Sequence, residues 1–218
     1  MRNLAFAENE FYHIYNRGVD KRNIFSSQSD LERFIASMEQ FNTNEVLGNL
    51  GRDVSKDNKN KLVNIIAFSL SKNHFHLILE QIIENGIEKF MHKLSMGYAK
   101  YFNARNQRSG ALFQGRFKAI HIDSDDYLLH LSAYINLNER GHKISNFLGR
   151  SSWNEYLGIA STNICKKEII LERFKTTQEY KRFAEETSKD IVRRKEALKE
   201  SGVSLLTSGV NRGEFKYK

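Results

Sequence analysis

With 218 residues, 40% of them hydrophobic and 28% charged, the chain is long enough for one well-filled core plus an appendage, and it has the composition of neither a disordered nor a membrane protein. No apolar run approaches the roughly 18 residues that a membrane span requires, and a single cysteine, Cys165, excludes an internal disulfide. The net charge of +8 favours a polyanionic partner, because each phosphate neutralised releases condensed counterions.

The N-terminal residues hold no uninterrupted apolar segment and run directly into a strand pattern, which predicts a cytoplasmic protein without a cleaved signal. FYHIYNR, residues 11–17, is rich in aromatic and β-branched types and predicts a first strand that ends at Gly18. A capping-box pattern at Ser29 to Glu32 then introduces Leu31, Phe34, Ile35, Met38 and Phe41, which share one helical face. The polar stretch from Asn42 to Lys61 predicts a long connection. LVNIIAFSL (62–70) and HFHLILE (74–80) are β-prone runs separated by Ser71, Lys72 and Asn73, the spacing of a hairpin. From Ile87 onward Phe90, Met91, Leu94, Tyr98, Tyr101 and Phe102 form a helical stripe. FQGRFKAIHI (113–122) predicts another strand, and Asp123 to Asp126 cap a helix running from about Asp126 to Arg140, ended by Gly141.

The order β-α-β-β-α-β-α fits an α+β, ferredoxin-like (split βαβ) antiparallel sheet with helices on one face and one further helix. Segments 166–174 and 177–200 read as charged helices, so the expected division is a core over residues 1–150 and a helical extension over 151–218. The chain has no proline, which leaves glycine, asparagine and serine to end helices and form turns.

On a strand, His74 and His76 project from one face while Phe75 and Leu77 project from the other, and side chains rooted about 7 Å apart can converge on one divalent ion. An isolated H-x-H pair is more often two satisfied histidines in a polar patch. Tyr134 and Asn138, four apart on a helix, share a face. The amide oxygen of Asn138 would complete a site begun by the histidines, with Tyr134 beside it, yet Tyr134 also continues the core stripe of Tyr127, Leu128 and Leu131. Arg105, Arg108, Arg116 and Lys118, interleaved with Phe113 and Phe117, suit a phosphate backbone with stacked bases, and equally a solvated basic loop whose phenylalanines face the core. Arg17, Lys21 and Arg22 form a second candidate contact patch. His13, His121 and His130 are metal-ligand candidates by residue type alone and are left out of the site.

Taken together, YHIYNRGVDKRNIF (12–25), NHFHLILE (73–80), YAKYFN (98–103), GALFQGRFK (110–118) and AYINLNERG (133–141) resemble the REP-associated tyrosine transposases, relatives of the single-strand insertion-sequence transposases in the HUH endonuclease superfamily. The resemblance spans residues 11–158. It implies a DNA-cutting and strand-transferring enzyme in which His74, His76 and Asn138 hold a divalent ion and Tyr134 is the nucleophile. Mixed nitrogen and oxygen ligands suit magnesium or manganese, with zinc, cobalt and nickel also able to occupy such a site. The implied partner is single-stranded or hairpin DNA, cut through a 5′-phosphotyrosine that frees a 3′-hydroxyl, by a monomer or a homodimer. Two departures stand beside the ligands: Lys72 and Glu139 occupy places where the family commonly has proline. Two rival readings are a repurposed, catalytically inactive nucleic-acid-binding protein of the same fold, and a nuclease in which water attacks instead of Tyr134.

Overall fold

Alternation along residues 11–17 builds the strand on which the site rests. In the computed structural model, which describes residues 4–45, 61–138, 149–160 and 162–200, β1 (Phe11–Arg17) sends Tyr12, Ile14 and Asn16 to one side and His13, Tyr15 and Arg17 to the other. Most of the predicted connection between Asn42 and Lys61, and the predicted helix end at Arg140 and Gly141, lie outside the described residues. Gly18 ends β1 where the chain doubles back: a Cβ there would lie 2.2 Å from the Arg22 carbonyl oxygen.

Helix α1 (Gln28–Gln40) is capped two residues before the predicted capping box. Its cap is Ser27, whose Oγ accepts from the Asp30 N–H at 3.3 Å, while the Asp30 carboxylate accepts from the Ser27 N–H at 3.0 Å. Both quartets match the pattern; burial of Asp30 against Arg105, at 2.6 Å, selects the earlier one. β2 (Val63–Ser71) and β3 (His74–Gln81) form the predicted hairpin, one residue tighter because Ser71 pairs with His74 and only Lys72 and Asn73 turn. Helix α2 (Gly86–Arg105) follows the apolar stripe from Ile87. β4 covers only Lys118–Ile122, shorter than the predicted 113–122, because Gly115 at φ 70° breaks the extended run and leaves Phe113 in an isolated bridge with Gly18. Helix α3 (Asp125–Leu137) is capped by Ser124, and Asn138 follows it as the last residue described in this stretch.

A short strand that local patterning does not announce, β5 (Arg150–Ser151), pairs with β2 and completes an antiparallel sheet of order β4-β1-β3-β2-β5. The first four strands have the ferredoxin-like order that the α+β reading requires. Phe75 on β3 meets Phe34 of α1 with ring centroids 5.3 Å apart, and Phe34 meets Tyr98 of α2 at 4.9 Å, so α1 and α2 share one face of the sheet. His76, one residue on, faces Tyr134 of α3, the further helix, on the opposite side. Beyond α4 (Trp153–Tyr156) and α5 (Glu168–Leu171), helix α6 (Thr177–Glu200) packs along α3. Tyr180 lies fully buried there beside Trp153, Tyr156 and Phe174, with centroids at 6.1, 5.1 and 5.3 Å, in the same hydrophobic cluster as the sheet. Among the described residues no helix is long and apolar enough to cross a membrane.

Candidate functional site

Strand register assembles the site. Tyr15 lies opposite His76 and also opposite Lys118, Arg17 lies opposite His74, and Ser69 and Ser71 flank the two histidines from β2. Directly paired residues share a face, so His74, His76, Tyr15, Arg17 and Lys118 line one pocket, joined by Asn16 and Gln114. The imidazoles of His74 and His76 stand perpendicular, at 88°, with centroids 5.1 Å apart.

Both rings are tied by their Nδ1 atoms. His74 Nδ1 is 2.7 Å from the Asn73 side-chain oxygen, whose amide nitrogen in turn donates to the Lys21 carbonyl at 3.2 Å. His76 Nδ1 is 2.9 Å from Nε2 of His13 on β1. A histidine that gives its Nδ1 proton to such a partner carries its lone pair on Nε2, the arrangement that orients imidazole ligands of metal ions. Among the described residues no group of three or more His, Cys, Asp and Glu side chains is placed to hold a metal ion. Asn138 directly follows α3, one turn beyond Tyr134 and at the spacing that shares its helical face. Two imidazole nitrogens plus one amide oxygen suit a divalent cation and leave coordination positions for substrate.

Tyr134 is half-buried, its ring 6.5 Å from that of His76 and inclined at 79°. The structure thus brings His74, His76 and Tyr134 together, with Asn138 on the last turn of the tyrosine helix. A second tyrosine, Tyr15, also faces the pocket 5.7 Å from the His76 ring; burial raises its pKa, which keeps it a phenol, and Lys118 Nζ lies 6.0 Å above its ring.

The sequence-predicted DNA contacts fall into three groups. Arg17 and Lys118 line the pocket, where Arg17 Nε donates to the Gln114 side-chain oxygen. Lys21, Arg22 and Arg116 are exposed on the loops beside it. The others have intramolecular partners: Arg105 donates to Asp30 and the Ser27 hydroxyl at the start of α1 and to the Tyr101 hydroxyl on its own helix, and Arg108 donates to the Asn103 side-chain oxygen and the Ala111 carbonyl. Phe113 is 8% exposed and packs edge-on to Phe75 at 5.8 Å, so its ring serves the core and not a base stack. Two residues not singled out from sequence, Tyr15 and Gln114, line the pocket, and His13, weighed there and left out, lies against His76. The parity of β1 placed His13 and Tyr15 on the face of Arg17, but which strand that face would meet was not local information.

The profile of the family described as "Transposase IS200 like" matches residues 11–138, more than half of the chain and the whole span from β1 to Asn138. A solved structure described as a REP-associated tyrosine transposase bound to a REP hairpin superposes with a TM-score of 0.48 at 10% sequence identity, covering 76% of this chain and 96% of the other. No curated protein matches the chain.

Proposed function

The chain belongs to the IS200-like transposase family, and from that premise we propose that it is a single-stranded DNA nickase and strand transferase, dependent on magnesium or manganese, with Tyr134 as its nucleophile. The observation that carries this reading is the approach of Tyr134 on α3 to a histidine pair whose Nδ1 atoms are both engaged, on a pocket flanked by Arg17 and Lys118.

When bound by His74, His76 and Asn138, the divalent ion supplies positive charge to the oxygens of the scissile phosphate. The protein does the rest. Tyr134 gives up its phenolic proton and its oxygen bonds to phosphorus; the bond from phosphorus to the 3′ oxygen breaks, and that oxygen takes up a proton to become a 3′-hydroxyl. The 5′-phosphotyrosine conserves the energy of the phosphodiester, so a later 3′-hydroxyl can attack it and rejoin the strand. Arg17 and Lys118 hold the phosphates on either side of the break, and Lys21, Arg22 and Arg116 extend the track for an unpaired strand beside a hairpin. We take residues 1–150 as the catalytic domain and 151–218 as its C-terminal extension, of which Ser151 pairs with β2 and α6 packs along the tyrosine helix. The enzyme acts on DNA in the cytoplasm as a monomer or homodimer.

The test is to incubate the protein with manganese and labelled single-stranded DNA from beside its own gene, then denature. A covalent adduct that requires metal, persists in Tyr15→Phe and vanishes in Tyr134→Phe is expected. Cleavage without an adduct, equal in Tyr134→Phe, assigns the attack to water; binding with neither product assigns the fold to recognition alone.

A further inference from the structure

His13 takes no part in the chemistry above, yet it sits directly behind one of its ligands. It is 0% exposed, its ring lies 5.1 Å from that of His76 at 23° and 5.1 Å from that of Tyr15 at 31°, and its Nε2 is 2.9 Å from His76 Nδ1. Its other nitrogen, Nδ1, is buried without a hydrogen-bond partner. That is a destabilising place for a polar atom, and an apolar ring of similar size would avoid it. What the imidazole alone supplies there is an Nε2 atom facing His76.

We propose that His13 is a positioning residue for the metal site, accepting the Nδ1 proton of His76 on its own Nε2 and so fixing the orientation of the His76 ring with the lone pair on its Nε2. This rests on the metal-dependent reading of the site. The one proton between the two rings has two settings. If His13 donates instead, His76 carries its proton on Nε2, and that nitrogen is closed to a cation. Asn73 performs the same service for His74 from the hairpin turn. The two rings are therefore held from two different places, His74 from the turn of its own hairpin and His76 from the neighbouring β1.

The test titrates manganese alone, without DNA, into the wild-type protein and the variants His74→Ala, His13→Gln and His13→Phe. Glutamine retains an acceptor near the position of Nε2; phenylalanine retains the ring and removes the acceptor. The expected result is manganese binding about 10- to 100-fold weaker in His13→Phe, the range for loss of an outer partner of a histidine ligand, with thermal stability unchanged or higher, and near wild-type affinity in His13→Gln. Wild-type affinity in a folded His13→Phe overturns the inference and leaves the metal reading standing. Absence of binding in the wild type, or binding that His74→Ala does not weaken, overturns both. Should His13→Phe fail to fold, the wild-type protein decides the matter: long-range 1H–15N spectra with zinc, a diamagnetic probe, should show His13 bare at Nε2. A proton on His13 Nε2 overturns the inference.

Discussion

Changing Tyr180 to phenylalanine removes one oxygen from the middle of a buried polar cluster that joins α6 to the tyrosine helix. The Tyr180 hydroxyl accepts from the Asn136 amide at 2.8 Å and lies 3.4 Å from Ser132 Oγ, which itself donates to the Leu129 carbonyl; Asn136 in turn accepts from Ser152 Oγ at 2.5 Å. Asn136 is 1% exposed, so in the variant its amide nitrogen loses its acceptor where water does not replace it. The ring stays, and with it the packing against Trp153, Tyr156 and Phe174, which leaves the hydrogen-bond loss as the dominant effect. An orphaned buried donor costs about 1–3 kcal/mol, and in a chain of this size each kcal/mol moves Tm by about 2–4 °C, giving an expected fall of about 2–12 °C in calorimetric melting. Because Asn136 is two residues beyond Tyr134, amides of α3 should also exchange with deuterium faster than in the wild type. An unchanged Tm refutes the reasoning that the cluster is water-free and satisfied by Tyr180. A fall in Tm with α3 exchange unaltered refutes the claim that α6 braces the tyrosine helix.

Arg105→Ala should lower Tm, since it uncovers the buried Asp30 at the cap of α1, while leaving affinity for single-stranded DNA near that of the wild type in a fluorescence titration. Lys118→Ala, in contrast, should weaken binding uniformly across DNA sequences and reduce the log–log salt slope by about 1, as loss of one phosphate contact does. Cys165 is buried and its pKa is raised by that burial and by Glu155, so iodoacetamide at pH 8 should label it only after denaturation. Burial also raises Tyr156, and raises Tyr180 to about 12, so in the alkaline range these groups ionise first in the unfolded chain. Stability from all three should be fully present at pH 7 and fall once the pH passes the ordinary thiol and phenol values, at up to about 1.4 kcal/mol per pH unit for each group. Urea midpoints measured from pH 7 to 11 check the sign.

The parts of the fold that could be read from sequence are those written in a local period. Leu31, Phe34, Ile35 and Met38 mark α1 whatever they pack on, and the runs either side of Lys72 and Asn73 mark the hairpin. Where the reading slipped, a non-local contact decided. Ser27 prevailed over Ser29 as the cap because Asp30 is covered by Arg105 from α2, 75 residues along the chain. β5 is only Arg150 and Ser151, too short to show alternation, and exists because β2 offers Leu70 and Ser69 as partners. FQGRFKAIHI has strand composition throughout, but Gly115 takes a left-handed conformation and only its second half joins β1.

The same division runs through the candidate site. His74 and His76 share a face by strand parity, and Tyr134 and Asn138 by helical spacing, so both pairs were visible before any fold was known. The partner of His76 was not: His13 precedes it by 63 residues, and their contact depends on the register that sets Tyr15 opposite His76. Local sequence likewise describes Arg17 and Arg105 in equal terms, as cations beside aromatic residues. One meets a buried carboxylate and is consumed by it; the other meets Gln114 on the wall of a pocket containing two histidines. Periodicity states which way a side chain points, and register states what it finds there. For charged and titratable groups the second determines the chemistry, which is why the histidine pair could be named from sequence while its neighbour His13, and the intramolecular partners of Arg105 and Arg108, emerged only from the assembled sheet.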